Sequence, residues 1–323
     1  MKRRLAIAAS LAFASVLAAH AEGTFPDRPL TLVVPYPAGG VADQIARPLA
    51  QALSQRLGQP VIIDNRPGAN GNIGSAWVAR SQPADGYTML LGSTSTLTVN
   101  PALYKSLGYD VLKDLQPVTL THQMPNVLVV GAATPYRSVA DVVAAARKKP
   151  GDLVFGSAGN GNTMHLTGVE FQDKAGVKLT HVPYKGGPPA LNDVLAGQIP
   201  MMFHNLPAVV AYNKAGSVRV LAVADTKRSP VMPDVPTFAE AGVPGVVNIV
   251  WNGILVRNGT PAPVVERLNK EMRAILQSPE FRKPLEAQGY EVLSSTPKEM
   301  GALIARDTPA MATVVRQADI QID

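Results

Sequence analysis

The chain has no cysteine among its 323 residues. That excludes disulfide staples, thiolate metal sites and a lipid-anchored N-terminal cysteine. Aromatic residues make up only 5%, and none interleaves with the longest basic run, Arg147-Lys148-Lys149. That run stands where a helix C-terminus favours cations, so no nucleic-acid surface is expected. Beyond the first 21 residues no stretch is apolar for long enough to cross a bilayer. The five histidines are dispersed with no H-E-x-x-H or comparable ligand spacing, so neither a metal nor a cofactor is expected. Catalytic signatures are missing as well. Residues 155–159 read F-G-S-A-G, which lacks the first glycine of a nucleophile elbow. Neither "GANGNIG" nor "GNGNTM" spaces its glycines as a dinucleotide fingerprint does, and no G-x-x-x-x-G-K-[ST] occurs. A hydrolase built from Ser157, His165 and Asp43 is disfavoured accordingly, and no enzyme is expected.

What is present begins with a cationic cap, Lys2-Arg3-Arg4, and an apolar run from Leu5 to Ala19. Ala19-His20-Ala21 supplies the small-x-small pattern of a cleavage site. Residues 1–21 therefore read as a secretory signal peptide, with an exported, periplasmic protein starting near Glu22. Removing three basic residues lowers the formal charge of +6 to about +3, a mild basicity that draws anionic ligands.

Short β-branched runs alternate with Ala- and Leu-rich helical patterns. Leu30–Pro35, Val61–Asp64, Tyr87–Gly92, Val127–Val130, Val154–Gly156, Leu179–Val182, Met201–Phe203 and Arg219–Ala224 read as strands. Between them lie helical patterns such as Asp43–Leu57, with a kink expected at Pro48, Ser138–Lys149 and Met164–Ala175. Such alternation predicts parallel sheets covered on both faces. The strands are too many for one comfortable sheet, so two α/β lobes are expected. Proline clusters at 117–125 and 230–236 mark the chain crossings. Lobe 1 is then discontinuous, residues 22–120 and 225–323, and lobe 2 spans 121–224, with a ligand cleft between them.

Two stretches share one grammar of strand, Gly-rich turn and helix. They are "LVVPYPAGGVADQIA" and "LVFGSAGNGNTMHLTG". In each, backbone N–H groups and the positive end of the helix dipole point into the turn, a ready anion site. Neither turn holds a lysine or arginine, which favours a carboxylate over a phosphate needing full countercharge. Several charge-assisted hydrogen bonds of about 1.5–3 kcal/mol each reach the roughly 8 kcal/mol of micromolar binding.

"VPYPAGGVADQIARPLA", "VIIDNRPGANGNIG", "PADGYTMLLG", "VFGSAGNGNTMHL", "HVPYKGGPPALNDVLAGQI" and "VRVLAVADTKRS" resemble, in order, the serial motifs of Bug-type solute-binding proteins of tripartite tricarboxylate transporters. The resemblance covers nearly the whole mature chain. It implies a two-lobed periplasmic-binding-protein fold of type II, closing over a small organic carboxylate and performing no catalysis. It also implies integral-membrane transporter subunits as partners and a monomeric receptor. Carried over by position, it points to Tyr36, Ala38, Gly39, Gly40 and Asp43 in the first loop. In the second it points to Ser157, Ala158, Gly159, Asn160 and His165, with Ser93 and Thr94 lining the cleft. Asp43 has a second reading, as a cap for its own helix. At "MMFHNLP" the family commonly has Phe-Asp-Asn, whereas here His204 precedes Asn205. A histidine donates where an aspartate accepts, so an unaminated mono- or dicarboxylate is expected in place of an α-amino acid. Two other readings stay open: a carboxylate receptor acting in sensing, and, less favoured, an exported hydrolase. A regulatory effector domain of the LysR type is disfavoured by the leader and by the lack of a helix-turn-helix segment.

Overall fold

The computed structural model describes residues 25–318 and 320; the leader expected over 1–21 lies outside the described residues. Strand β1 (Leu30–Val34) runs through a Pro- and Gly-rich turn into helix α1 (Val41–Leu57), followed by β2 (Val61–Asn65), α2 (Asn72–Ser81) and β3 (Thr88–Ser93). The three strands lie parallel with β1 in the middle. α1 turns Ile45, Leu49, Leu53 and Leu57 onto them, at the spacing of one helical face. It passes Pro48 as a single helix.

β4 (Leu115–Gly131) is one strand of 17 residues, of which the pattern announced only Val127–Val130. Pro117 and Pro125, expected to mark a crossing between the lobes, both lie inside this strand. Both sit where a missing N–H does least harm. Pro117 adjoins a register shift, and Pro125 is the last residue paired with β9 (Ile249–Arg257). From Asn126 onward β4 pairs instead with β7 (Met201–Asn205) and β8 (Val218–Val223). The second strand–helix set fills the interval: α3 (Val139–Lys148), β5 (Val154–Ser157), α4 (Thr163–Ala175), β6 (Thr180–Pro183) and α5 (Gly187–Leu195). After β9 come α6 (Ala262–Leu276), α7 (Pro279–Glu286), the short β10 (Glu291–Val292) and α8 (Pro297–Gln317).

Two α/β lobes result, but their strands form one continuous mixed sheet, in the order β2-β1-β3-β9-β4-β7-β5-β6 with β8 and β10 on β4. The all-parallel expectation fails at the centre, where β9, β7, β8 and β10 all run antiparallel to β4. β9 escaped the pattern because Asn252 and Gly253 interrupt its apolar run.

The chain passes between the lobes at two adjacent points. Asn126 N–H donates to the Asn248 carbonyl (3.1 Å), Asn248 N–H to Ala224 (2.9 Å) and Ala224 N–H to Asn126 (2.8 Å). Side chains reinforce the place: the Asn126 amide donates to Thr167 Oγ1 and accepts from Asn205 Nδ2 at 2.7 Å. Residues 225–248, expected with lobe 1, pack on lobe 2. Phe238 is fully buried between Phe171 and Phe203, and Val243 and Val246 join the same core. The Pro-rich stretch is expected as a crossing between the lobes, yet Met232 and Phe238 are buried in the two hydrophobic clusters of the second lobe.

Gly168 shows how tightly α4 sits on its sheet. A Cβ there would lie 2.4 Å from Phe155 Cε2 and 3.1 Å from Phe203 Cδ2, and those two buried rings are held edge to face. Gly168→Ala is expected to lower stability by about 1–3 kcal/mol despite alanine's better helix propensity. Urea unfolding checks this; an unchanged midpoint would refute the contact.

Candidate functional site

Between the lobes lies a cavity of about 600 Å³. Its wall is built from the starts of helices. α1 begins at Gly40, whose extended backbone (φ −72°, ψ 169°) carries no capping side chain. The first residue to donate into that helix is Gln44, to Gly40, at 3.0 Å. The N–H groups of Val41 and Ala42, both on the cavity wall, thus keep no side-chain cap. α2 follows directly on a single 3-10 turn, Ala69–Gly71, so the N–H groups of Gly71 and Asn72 already donate to Gly68 and Ala69, and Pro67–Gly71 line the cavity. α5 opens at Gly186 (φ 108°), again uncapped. Pro188 and Pro189 remove two donors from its first turn, which leaves the Gly187 N–H.

The second Gly-rich loop behaves differently from the expectation. α4 is capped, because Asn162 Oδ1 accepts the His165 N–H at 3.0 Å. Gly161 N–H donates to His165 Nδ1 and Gly159 N–H to Ser157 Oγ. Two of this loop's glycine donors, at Gly159 and Gly161, are thus engaged within it. The uncapped start that lobe 2 offers is Gly186–Gly187, one strand further on. Its signal was present in "YKGGPP": glycines followed by proline at the first helical turn mark a helix start.

Of the residues expected from the sequence, Tyr36, Gly40, Ser93, Ala158, Gly159, Asn160, His204 and Asn205 stand on the cavity wall. Ala38 and Gly39 are exposed beside it. Asp43 faces away and is buried. Its carboxylate accepts from Gly39 N–H (2.9 Å), from Arg47 Nε and Nη2 (2.7 and 3.0 Å) and from Asn65 Nδ2 (3.0 Å). Burial alone would raise its pKa, but these donors outweigh it and hold the group below the usual carboxylate range. Asp43 fixes the turn before α1 and pairs with Arg47 and Asn65, so it neither lines the cavity nor caps the first-turn N–H groups of its own helix. Thr94 Oγ1 accepts from the Trp251 N–H and donates to the Trp251 carbonyl, tying β3 to β9 behind the wall. Ser157 and His165 are likewise behind it: Ser157 Oγ lies 2.6 Å from His181 Nε2, and the His165 and His181 rings stack at 3.7 Å. Unforeseen wall residues include Tyr104, Met124, Tyr184, Lys185, Val250 and Asn252. Several come from β4 and β9, the stretches whose strands the pattern missed.

The electrostatics are one-sided. Among the described residues no aspartate or glutamate lines the cavity, and one cation, Lys185, does. Tyr36 is pushed up to about 12 by burial, against the hydrogen bond it shares with Ser93 (2.6 Å), so it stays a neutral hydroxyl. His204 is pushed down to about 4 by burial, with a hydrogen bond to the Gly187 backbone acting in the opposite sense. Its Nδ1 accepts the Asn205 N–H at 2.7 Å, which places the proton on Nε2, beside Gly187. The ring's single donor therefore faces the α5 start.

The family model described as "Tripartite tricarboxylate transporter family receptor" matches residues 45–320. Protein BugT of Bordetella pertussis is 37% identical over 324 residues, covering 100% of this chain and 99% of BugT. The solved structure of R. palustris Rpa4515 with adipate superposes with a TM-score of 0.89 at 38% identity, over 92% of this chain and 99% of that one. MatC from Rhodopseudomonas palustris with bound malate superposes with a TM-score of 0.85 at 31% identity, over 90% and 100% of the two chains.

Proposed function

The chain belongs to the tripartite tricarboxylate transporter receptor family, and from that premise we propose that it captures a small unaminated mono- or dicarboxylate between its lobes. One observation carries the reading. Two uncapped helix N-termini, at Gly40 and Gly186, face one cavity, and among the described residues no acidic side chain stands on its wall. Each supplies backbone N–H donors and a positive dipole end to an anion. Lys185, exposed at the wall, adds a full charge suited to a second carboxylate. An α-ammonium group would meet no countercharge there, and burying one unpaired is costly. His204 acts through Gly187, holding the α5 start toward the ligand. Adipate and malate in the related structures are in keeping with this chemistry.

The lobes close about Asn126 and Asn248, with 126–248 as the second lobe. The receptor works as an exported periplasmic monomer that delivers its ligand to integral-membrane transporter subunits. Among the described residues no helix is long and apolar enough to cross a membrane.

Calorimetric titration of refolded, ligand-stripped protein tests the reading. Mono- and dicarboxylates of two to seven carbons are compared with amino acids of matched length. Binding by unaminated carboxylates alone is expected. Binding by amino acids alone would overturn the ligand class.

A further inference from the structure

Among the described residues only two that are not glycine have a positive φ, Ala69 (45°) and Asn70 (53°). They are consecutive, and Gly68 (129°) and Gly71 (88°) flank them, so a whole turn sits at positive φ. For a residue with a Cβ this hand is disfavoured. It persists only where the surroundings over-determine it, and strain of this kind gathers at ligand-binding positions. Ala69 and Asn70 both stand on the wall of the cavity between the lobes.

What holds the turn is Asn100, which is fully buried and stands off the cavity wall. Its amide nitrogen donates to the Asn70 carbonyl (3.1 Å) and to Asn72 Oδ1 (2.7 Å). Its Oδ1 accepts from Asn70 Nδ2 (2.8 Å). A backbone carbonyl only accepts, which fixes the end of the amide that carries the nitrogen. Among the described residues, every side-chain hydrogen bond of Asn100 goes to this turn or to the residue after it. A buried amide is costly unless it is paired, and here all of the pairing serves a segment 28 to 30 residues away. The turn is also pressed close: a Cβ on Gly71 would lie 2.6 Å from Thr96 Cγ2 and 3.4 Å from the Pro35 carbonyl oxygen.

We propose that Asn100 is a positioning residue for the ligand site: it clamps Ala69 and Asn70 in the left-handed conformation and so fixes the wall from Pro67 to Gly71. This rests on the carboxylate reading above, and it adds a residue that acts on the ligand only through the turn it holds. Without the clamp, the turn spends most of its time in the ordinary hand, which costs a residue with a Cβ less. Only the molecules that keep the left-handed turn then have a complete wall, and the apparent affinity falls by that fraction.

The test is a rescue experiment. Succinate, adipate and malate are titrated by calorimetry into refolded, ligand-stripped wild type, Asn100→Ala, Ala69→Gly and the double variant. Circular dichroism sets a temperature at which all four are folded, so that lost stability does not enter the dissociation constant. Asn100→Ala is expected to raise the dissociation constant of each probe that the wild type binds about tenfold. In the Ala69→Gly background the same change is expected to raise it only about threefold, because glycine takes positive φ without a Cβ penalty and depends less on a clamp. A residue that merely filled space would lose the same affinity in both backgrounds. Asn100→Asp keeps the shape and removes both donated hydrogen bonds, and it replaces the alanine variant if that one does not fold. Unchanged affinity in the folded Asn100 variant, or a loss that Ala69→Gly does not reduce, overturns the positioning role and leaves the carboxylate reading standing. Binding of no probe by the wild type overturns the carboxylate reading, and the positioning role with it.

Discussion

Between pH 6.5 and pH 5 the protein is expected to lose on the order of 5 kcal/mol of stability. The cause is its histidines. Burial pushes His122 down to about 3 and His204 to about 4. It also pushes His165 to about 4 and, with the neighbouring His165, His181 to about 3. Each titrates near 6.5 once unfolded. The unfolded chain therefore binds protons below pH 6.5 that the folded chain refuses. A depressed histidine pKa means stability that is full above 6.5 and is lost as the pH falls toward the folded value. Glu170 works in the opposite direction. Burial raises it to about 7, so its contribution is present below about 4.5 and is lost as the pH rises toward 7. Four histidines against one glutamate leave a net difference of about three protons, each worth about 1.4 kcal/mol per pH unit. Asp43, held low, adds loss only below about pH 4. Urea unfolding followed by tryptophan fluorescence at pH 7.5, 6.5, 5.5 and 5 measures the slope. A flat profile, or stability that rises on acidification, would show that the stacked His165–His181 pair and the buried His122 and His204 accept protons without unfolding.

Val41→Pro is expected to weaken carboxylate binding about 10- to 100-fold while leaving the fold intact. The change deletes one atom of interest. Val41 is the first residue of α1, where an N–H has no intrahelical acceptor and proline is well accommodated. Gly40 is already extended, the conformation that a following proline demands. What disappears is a backbone donor at the cavity wall, with no change in side-chain charge. Ordinary side-chain substitution cannot make this distinction, because the donors are main-chain groups. Calorimetry gives the affinity, and circular dichroism with a thermal midpoint controls for folding. Unaltered affinity in a folded Val41→Pro protein would remove the α1 start from the anion site. A thermal collapse would point instead to the packing of Val41 against the first core.

Much of the architecture is legible in local pattern. The face Ile45–Leu49–Leu53–Leu57 turns α1 into the core that it shares with β1, β3 and the later α6. The uncapped start of α1 is equally local, for Pro37-Ala38-Gly39-Gly40 contains no residue able to cap the helix that follows. The motifs from "VPYPAGG" to "VRVLAVAD" carry the family with them. By contrast, β4 and β9 are stabilised by each other across more than 120 residues. Their prolines and Gly253 contradict a strand locally and stand at register shifts or at the end of the pairing, while Asn252 stands on the cavity wall.

The same division runs through the site. Which turns could bind an anion follows from glycine, proline and the lack of cations, and these are properties of a few consecutive residues. Which of them do face the cavity is a matter of tertiary structure. Asn162 lies close enough to close off α4, whereas no side chain caps the helix that starts at Gly186. Asp43 reads equally well as a ligand group or as a cap until Arg47 and Asn65, one helical turn and 22 residues away, converge on it. His122 and Asn252 become a pair only through the register of two antiparallel strands, which no short stretch of sequence encodes. Helix starts are local because a cap lies within three residues of the groups it satisfies. Sheet-built walls are not, because each hydrogen-bonding partner comes from a distant segment whose register depends on the packing of both lobes.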